Sequence, residues 1–379
     1  MIAAGAVVAD GRVHRPGWVS VGEAQILDAG AGNPPAPAED AFPDGIVVPG
    51  FVDIHCHGGA GRSYADTAEA GDAADVVVAL HARHGTTRGL ASLVSAAPQA
   101  LLAQVRALAA ATRRGVIDGI HLEGPWLSRR YCGAHDTAWL RDPDPAELDA
   151  LLSAGDGAIR MVTLAPERRG GLETIGRLVD AGVVVAVGHT DASFEQTQAA
   201  IDAGASVGTH LFNAMRPLQH REPGPVAALL ADSRVSVELI ADGVHLHPAV
   251  IRHVVATAGP HRVALVTDAM AAAGVGDGAF GLGGLDVDVS AGVARLRGTA
   301  TIAGSTATMD RVFSTTVELL RDELGFDGAL AAAVTMCSAT PSGALGAGAG
   351  RVVGASADLV VLDGGLQVQR VMRRGRWLT

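Results

Sequence analysis

Eight short apolar runs recur along the middle of this chain, at residues 52–57, 86–93, 116–123, 158–164, 183–189, 205–210, 235–240 and 263–268. Stretches of helical periodicity lie between them, for instance 65–83, 99–113, 172–181 and 194–202. Strands alternating with amphipathic helices demand a parallel sheet covered on its faces, and eight such units close a (β/α)8 barrel. The competing arrangement is an open, doubly wound sheet, but no Gly-x-Gly-x-x-Gly follows an early strand. The expected fold is therefore an α/β (β/α)8 barrel of the TIM type.

Both ends of the chain read differently. Residues 5–8, 18–21, 25–29 and 46–48 suit short strands, with a loose Ala/Pro/Gly/Asn stretch at 31–38. Two more strand-like runs, 358–363 and 368–372, come after the last barrel unit. Neither end is long enough to fold alone. They are expected to pair into one small β-sandwich domain (1–48 with 345–379) around a barrel spanning 49–344. The longest irregular insertions, 127–145, 211–225 and 269–304, follow strands three, six and eight. On a barrel these lie at the C-terminal face, where substrate loops sit.

Charge and cysteine content narrow the partners. A formal charge of −11 argues against nucleic acid or an anionic membrane surface as the main partner. An anionic small molecule then needs local Arg or His. Three scattered cysteines (Cys56, Cys132 and Cys337) make neither a disulfide framework nor a Cys-rich zinc site. The start of the chain lacks a signal-peptide pattern, and no apolar run approaches the ~18 residues of a membrane span. A cytoplasmic location is expected.

The chemistry lies at the strand ends. In Val52-Asp53-Ile54-His55-Cys56-His57, strand alternation puts His55 and His57 on one face and Cys56 on the other. Strand three ends in Glu123, strand five in His189, strand six in His210 and strand eight in Asp268. A barrel brings all of these to one mouth. Four imidazoles and two carboxylates make a donor set suited to a divalent cation such as Zn²⁺, Fe²⁺ or Mn²⁺.

Longer motifs surround these residues: His121-Leu122-Glu123-Gly124-Pro125-Trp126, Gly188-His189-Thr190, Thr209-His210-Leu211-Phe212-Asn213-Ala214-Met215, Ala241-Asp242-Gly243-Val244-His245 and Thr267-Asp268-Ala269-Met270. Together with His55-Cys56-His57 they resemble the amidohydrolase superfamily, and within it the deacetylases of N-acetylglucosamine 6-phosphate, over nearly the full length. The resemblance implies metal-dependent hydrolysis of an acetamide to an amine and acetate. An epimeric N-acetylgalactosamine 6-phosphate, or another N-acyl compound, is the alternative substrate. It implies Glu123, His189 and His210 as principal ligands of a divalent metal, Zn²⁺ first, with Fe²⁺, Mn²⁺ or Co²⁺ as alternatives. His55 and His57 match a second metal position that only some members keep, so one or two ions per subunit are expected. Asp268 matches the catalytic acid and base, and His135 a second electrophile at the reacting carbonyl. Ala134, His135, Asn213, Ala214, Arg221, His245, Ile302, Ala303 and Gly304 match substrate contacts, Arg221 at the phosphate. A homodimer is implied, one subunit completing its neighbour's phosphate site.

One absence bears on this branch. The chain contains no lysine, so no carboxylated lysine can bridge two metals and no Schiff base can form. Glu123 is the carboxylate placed to bridge.

Overall fold

The structure, a computed structural model, describes residues 1–346 and 352–378. Residues 347–351 and 379 of the expected C-terminal β segment lie outside that description.

The eight expected strands are present and parallel. They run β1 (Phe51–Cys56), β2 (Thr86–Leu93), β3 (Gly119–Glu123), β4 (Ile159–Leu164), β5 (Val184–Val187), β6 (Val207–Gly208), β7 (Ser236–Leu239) and β8 (Val263–Leu265). Each pairs with its neighbours in chain order. The circle closes where the Asp268 N–H donates to the His55 carbonyl at 2.8 Å and Cys56 bridges Ala269 in parallel. Along each strand one set of residues packs outward on the helices, as Ile120, Leu122, Val162 and Leu164 do. The other set fills the barrel: Val52, Ile54, Leu90, Met161, Ala186 and Val207 form an apolar plug.

Local sequence explains the helices. Ser193 caps Phe194–Asp202, accepting from the Gln196 N–H, while the Gln196 side chain accepts from the Ser193 N–H. In Pro98–Arg113, Leu101, Val105 and Leu108 recur at helical spacing and are fully buried. The single helix expected over 65–83 is instead two pieces, Thr67–Ala70 and Ala73–Arg83, parted at Gly71. Glycine carries the largest backbone-entropy cost in a helix, and its φ here is positive.

The two termini share one sheet. Strand Asp40–Pro49 pairs with Ile2–Ala9 in parallel and with Leu359–Leu362 in antiparallel register, Val47 opposite Val361 and Val48 opposite Val360. Alternation splits these pairs. Val47 and Val361 join Ile2, Ala4 and Leu359 in a separate core, whereas Val48 and Val360 pack on the barrel. The chain passes from this small β-sandwich into β1 through Gly50, where any Cβ would collide with the Thr87 side chain.

One expectation needs correction. The 269–304 insertion is not irregular: Gly278–Leu282, Leu285–Ser290 and Val293–Leu296 form a three-stranded antiparallel sheet. The alternation of Leu285-Asp286-Val287-Asp288-Val289-Ser290 is the physical reason, since Val287 and Val289 are buried while Asp286 and Asp288 face solvent.

Candidate metal centre and active site

Strand alternation alone does not aim His55 and His57. Ile54 belongs to the interior plug, so its neighbour His55 should point outward. Between Asp53 and Cys56 the register against β2 slips by one residue, three on β1 facing two on β2. This bulge turns His55 inward as well, while Cys56 faces the helical layer beside His81, 3.4 Å away.

The remaining groups are presented by abrupt turns at strand ends. His189, His210 and Asp268 all have positive φ (47°, 24° and 48°), a region that costs non-glycine residues about 1–3 kcal/mol each. All three stand at one mouth, and hydrogen bonds to their backbones hold two of these turns. The Asp268 carbonyl accepts from the Ser305 N–H at 2.7 Å, and the His210 N–H donates to Glu238 Oε2 at 3.1 Å.

Six side chains converge there. They form two groups of three, and Glu123, a member of one, reaches across to the other. Its Oε1 is 2.9 Å from His189 Nε2 and 3.0 Å from His210 Nε2, and its Oε2 is 3.2 Å from His57 Nε2. Asp268 Oδ1 is 3.2 Å from His57 Nε2 and 3.5 Å from His55 Nε2. Within the set His55, His57 and Asp268, and within Glu123, His189 and His210, the donor atoms lie within 4.8 Å of one another.

This donor set fits divalent cations. His55 and His57 bring their Nε2 atoms to 3.1 Å, and His189 and His210 do the same. Imidazole nitrogens this close, beside carboxylates and buried, call for positive charge between them. Burial disfavours charge on His57, yet its hydrogen bonds to Asp268 and Glu123 outweigh that and push it up to about 9. His55 is likewise driven well above its ordinary range: burial opposes the charge, and Glu123, Glu238 and Asp268 overcome it. Burial would raise Glu123 and Asp268, but the imidazoles hold both below the usual carboxylate range. A cation can supply the same charge without the protons.

His135 stands at the edge of this cluster, its Nε2 3.1 Å from Glu123 Oε2. Its Nδ1 accepts the Ser95 backbone N–H at 3.2 Å, so the ring proton sits on Nε2, facing the cavity. The cavity holds about 300 Å³ and is lined by Glu123, Ala134, His135, Asn213, Ala214, His245, Asp268, Ile302 and Gly304 among others. His245 is held above its ordinary range: burial opposes its charge, but the Asp242 carboxylate 2.8 Å from Nδ1 prevails.

Two expected contacts are placed otherwise. Ala303 is fully buried behind the lining, its N–H donating to the Ala294 carbonyl. Arg221 is exposed and does not line the cavity of its own chain.

Several residues at the site escaped the sequence reading. Glu238 is fully buried on β7, with Oε2 3.0 Å from His55 Nδ1. An acid inside the apolar run Val235-Ser236-Val237-Glu238-Leu239-Ile240 was the available signal. His121 lies two residues before Glu123 and faces the same way, between Ser92 (2.9 Å) and Thr163 (2.8 Å). Burial holds it well below its ordinary range, helped by neighbouring His55. Val94 and Leu282, apolar lining residues from β2's end and the insertion sheet, carried no signal at all.

The comparisons with known proteins agree with this geometry. The family model "Amidohydrolase family" matches residues 46–378. The N-acetylgalactosamine-6-phosphate deacetylase of Escherichia coli O157:H7 is 37% identical over 95% of each chain. The N-acetylglucosamine-6-phosphate deacetylase of Bacillus subtilis is 36% identical over 80% of this chain and 79% of its own. A solved structure of N-acetyl-D-glucosamine-6-phosphate deacetylase from Mycobacterium smegmatis, in complex with N-acetyl-D-glucosamine-6-phosphate, superposes with a TM-score of 0.96 at 54% identity, covering 99% of this chain and 98% of that one. The chain belongs to the amidohydrolase family, in the branch of these N-acetylhexosamine-6-phosphate deacetylases.

Proposed function

We propose that this chain hydrolyses the acetamide of N-acetyl-D-glucosamine 6-phosphate, releasing D-glucosamine 6-phosphate and acetate. The observation that carries the reading is the position of Asp268, its carboxylate beside the His55–His57 pair, which Glu123 links to the His189–His210 pair, at the wall of a cavity that also presents His135. When bound, a divalent cation lowers the pKa of a water and polarises a carbonyl. His55 and His57 would hold one ion with Asp268, and His189 and His210 another, with Glu123 between. Zn²⁺ suits these nitrogen and oxygen donors, with Fe²⁺, Mn²⁺ and Co²⁺ as alternatives.

The chain's own groups do the rest. Asp268 takes the proton of the attacking water as its oxygen bonds to the amide carbon. The same carboxyl then gives that proton to the nitrogen as the C–N bond breaks, so the leaving group departs as a neutral amine. His135 donates its Nε2–H to the carbonyl oxygen as negative charge develops there. Asn213, Ala214, Ala134 and the turn at Ile302–Gly304 would bound the sugar, and His245 would supply positive charge to an anionic substrate. Ala303 would act through that turn. Arg221, exposed on its own chain, fits the reading as a phosphate ligand for the neighbouring subunit of a homodimer. A cytoplasmic location goes with such a metabolite; among the described residues no helix is long and apolar enough to cross a membrane.

N-acetylgalactosamine 6-phosphate is the second reading, supported by the 37% identity to the E. coli enzyme across 95% of both chains. The deciding experiment measures acetate release by zinc-loaded protein from both phosphorylated epimers and from unphosphorylated N-acetylglucosamine. A strong preference for N-acetylglucosamine 6-phosphate is expected. Preference for the galactose epimer would transfer the assignment, and equal turnover of the unphosphorylated sugar would remove the phosphate from the reading.

A further inference from the structure

Glu238 is a completely buried carboxylate that belongs to neither group of candidate ligands. Its Oε2 accepts the backbone N–H of His210 at 3.1 Å and lies 3.0 Å from His55 Nδ1. One oxygen thus touches a residue from each group, across the barrel from β7 to β1 and to the end of β6. The contact with the His210 amide is unambiguous in direction, since a backbone N–H only donates. With that amide and an imidazole nitrogen on the same oxygen, the economical arrangement has His55 donating from Nδ1. The lone pair of His55 Nε2 is then directed at His57 and Asp268.

The Nδ1 atoms of His57 and His210 are buried and have no hydrogen-bond partner among the described residues, and that of His189 faces the Tyr131 carbonyl at 3.0 Å. His55 is therefore the one candidate ligand of the four whose outer nitrogen meets a carboxylate. A carboxylate behind a ligating imidazole fixes its tautomer and orientation and raises its basicity. We propose that Glu238 is the positioning residue for the His55 cation site, setting which nitrogen of His55 is free and tying that site to the His210 backbone. The proposal rests on the reading of His55, His57 and Asp268 as a cation site, but not on the identity of the substrate.

The test is therefore metal binding, not turnover. Zn²⁺ binding to metal-free wild-type protein and to Glu238→Ala and Glu238→Gln is measured by calorimetry and by elemental analysis after dialysis. Circular dichroism checks that each variant is folded. Wild type should bind two ions. Glu238→Ala should weaken one of them by about ten- to a hundredfold, as loss of such outer partners does, and leave the other in place. Glu238→Gln, which keeps an acceptor without its charge, should fall between; if the alanine variant does not fold, this one decides. Nitrogen NMR of the imidazoles in zinc-loaded protein supplies a signature that general destabilisation would not produce: His55 should carry its single proton on Nδ1 in wild type and lose that preference in Glu238→Ala. Two ions bound with unchanged affinity by a folded variant, or a His55 proton on Nε2, would overturn the role of Glu238. A single ion in wild type would overturn the two-cation reading beneath it, while leaving the deacetylase reading to its own assay.

Discussion

The backbone N–H of Asp268 donates to the carbonyl oxygen of His55 at 2.8 Å, joining the last strand of the barrel to the first. The same two residues face one another through their side chains, Oδ1 to Nε2 at 3.5 Å. Barrel closure and assembly of the site are thus one event. Asp268→Asn keeps the shape and the backbone bond but removes the base. The variant should fold and keep the ion held by Glu123, His189 and His210, with kcat lower by roughly 10²–10⁴-fold, the usual contribution of a positioned general acid–base. Near-normal kcat in steady-state acetate release would rule out that role.

His55→Ala removes a nitrogen from one group of ligands and leaves Glu123, His189 and His210 intact. Zinc content should drop from two ions to one per chain, read by elemental analysis at saturating Zn²⁺. One ion in wild type together with full activity of the variant would rule out the second position.

Asp242 and His245 set a pH limit. The folded chain holds His245 above its ordinary pKa, against burial and through Asp242. A raised folded pKa favours the protonated side chain. Its contribution to stability is complete below the unfolded value and is lost as pH rises through the folded one. If the imidazolium binds an anionic sugar, KM should climb above that pKa by up to about tenfold per pH unit, because only the protonated fraction is competent. Asp242→Asn should move the climb to lower pH. A KM–pH profile identical in the two proteins would contradict the assignment.

Gly304 has φ of +64°, and a Cβ there would meet the Asp268 carbonyl oxygen at 2.9 Å. That oxygen accepts from the Ser305 N–H and anchors the strained Asp268 turn. Gly304→Ala should therefore cost about 1–3 kcal/mol in denaturant unfolding through strained backbone alone. It should also lower kcat, because the catalytic carboxylate shifts with its backbone. Wild-type kcat in the variant would show that the turn does not position Asp268.

Arg221 can be tested by pairing defective chains. Arg221→Ala and Asp268→Asn should each be impaired alone on the phosphorylated sugar. After mixing and subunit exchange, roughly a quarter of the sites should regain both groups, the statistical expectation for random dimers. No recovery beyond the sum of the separate activities would place Arg221 outside the neighbour's site.

The order of eight parallel strands was legible because each is a β-rich apolar run bounded by helical periodicity, a local property. The six candidate ligands were legible for the same reason: each stands at or just beyond the end of such a run, and barrel geometry sends all those ends to one mouth. The motifs around them carried the family. The insertion sheet at 278–296 was written in an equally local alternation, that of Val287 and Val289 with Asp286 and Asp288.

Tertiary structure decided what depends on distant partners. The bulge that turns both Ile54 and His55 inward arises from pairing with β2, and no pattern within β1 displays it. The positive φ of His189, His210 and Asp268 is tolerated only because bonds such as Ser305 N–H to the Asp268 carbonyl hold it. Glu238 reads as an anomaly in an apolar strand until folding sets its oxygen against His55, 183 residues away. The protonated nitrogen of His135 depends on the amide of Ser95. The sequence by itself determined which strands form and which residues stand at their ends. The tertiary structure decided where those side chains point and which protons they carry, because orientation and protonation are set by neighbours far away in the chain.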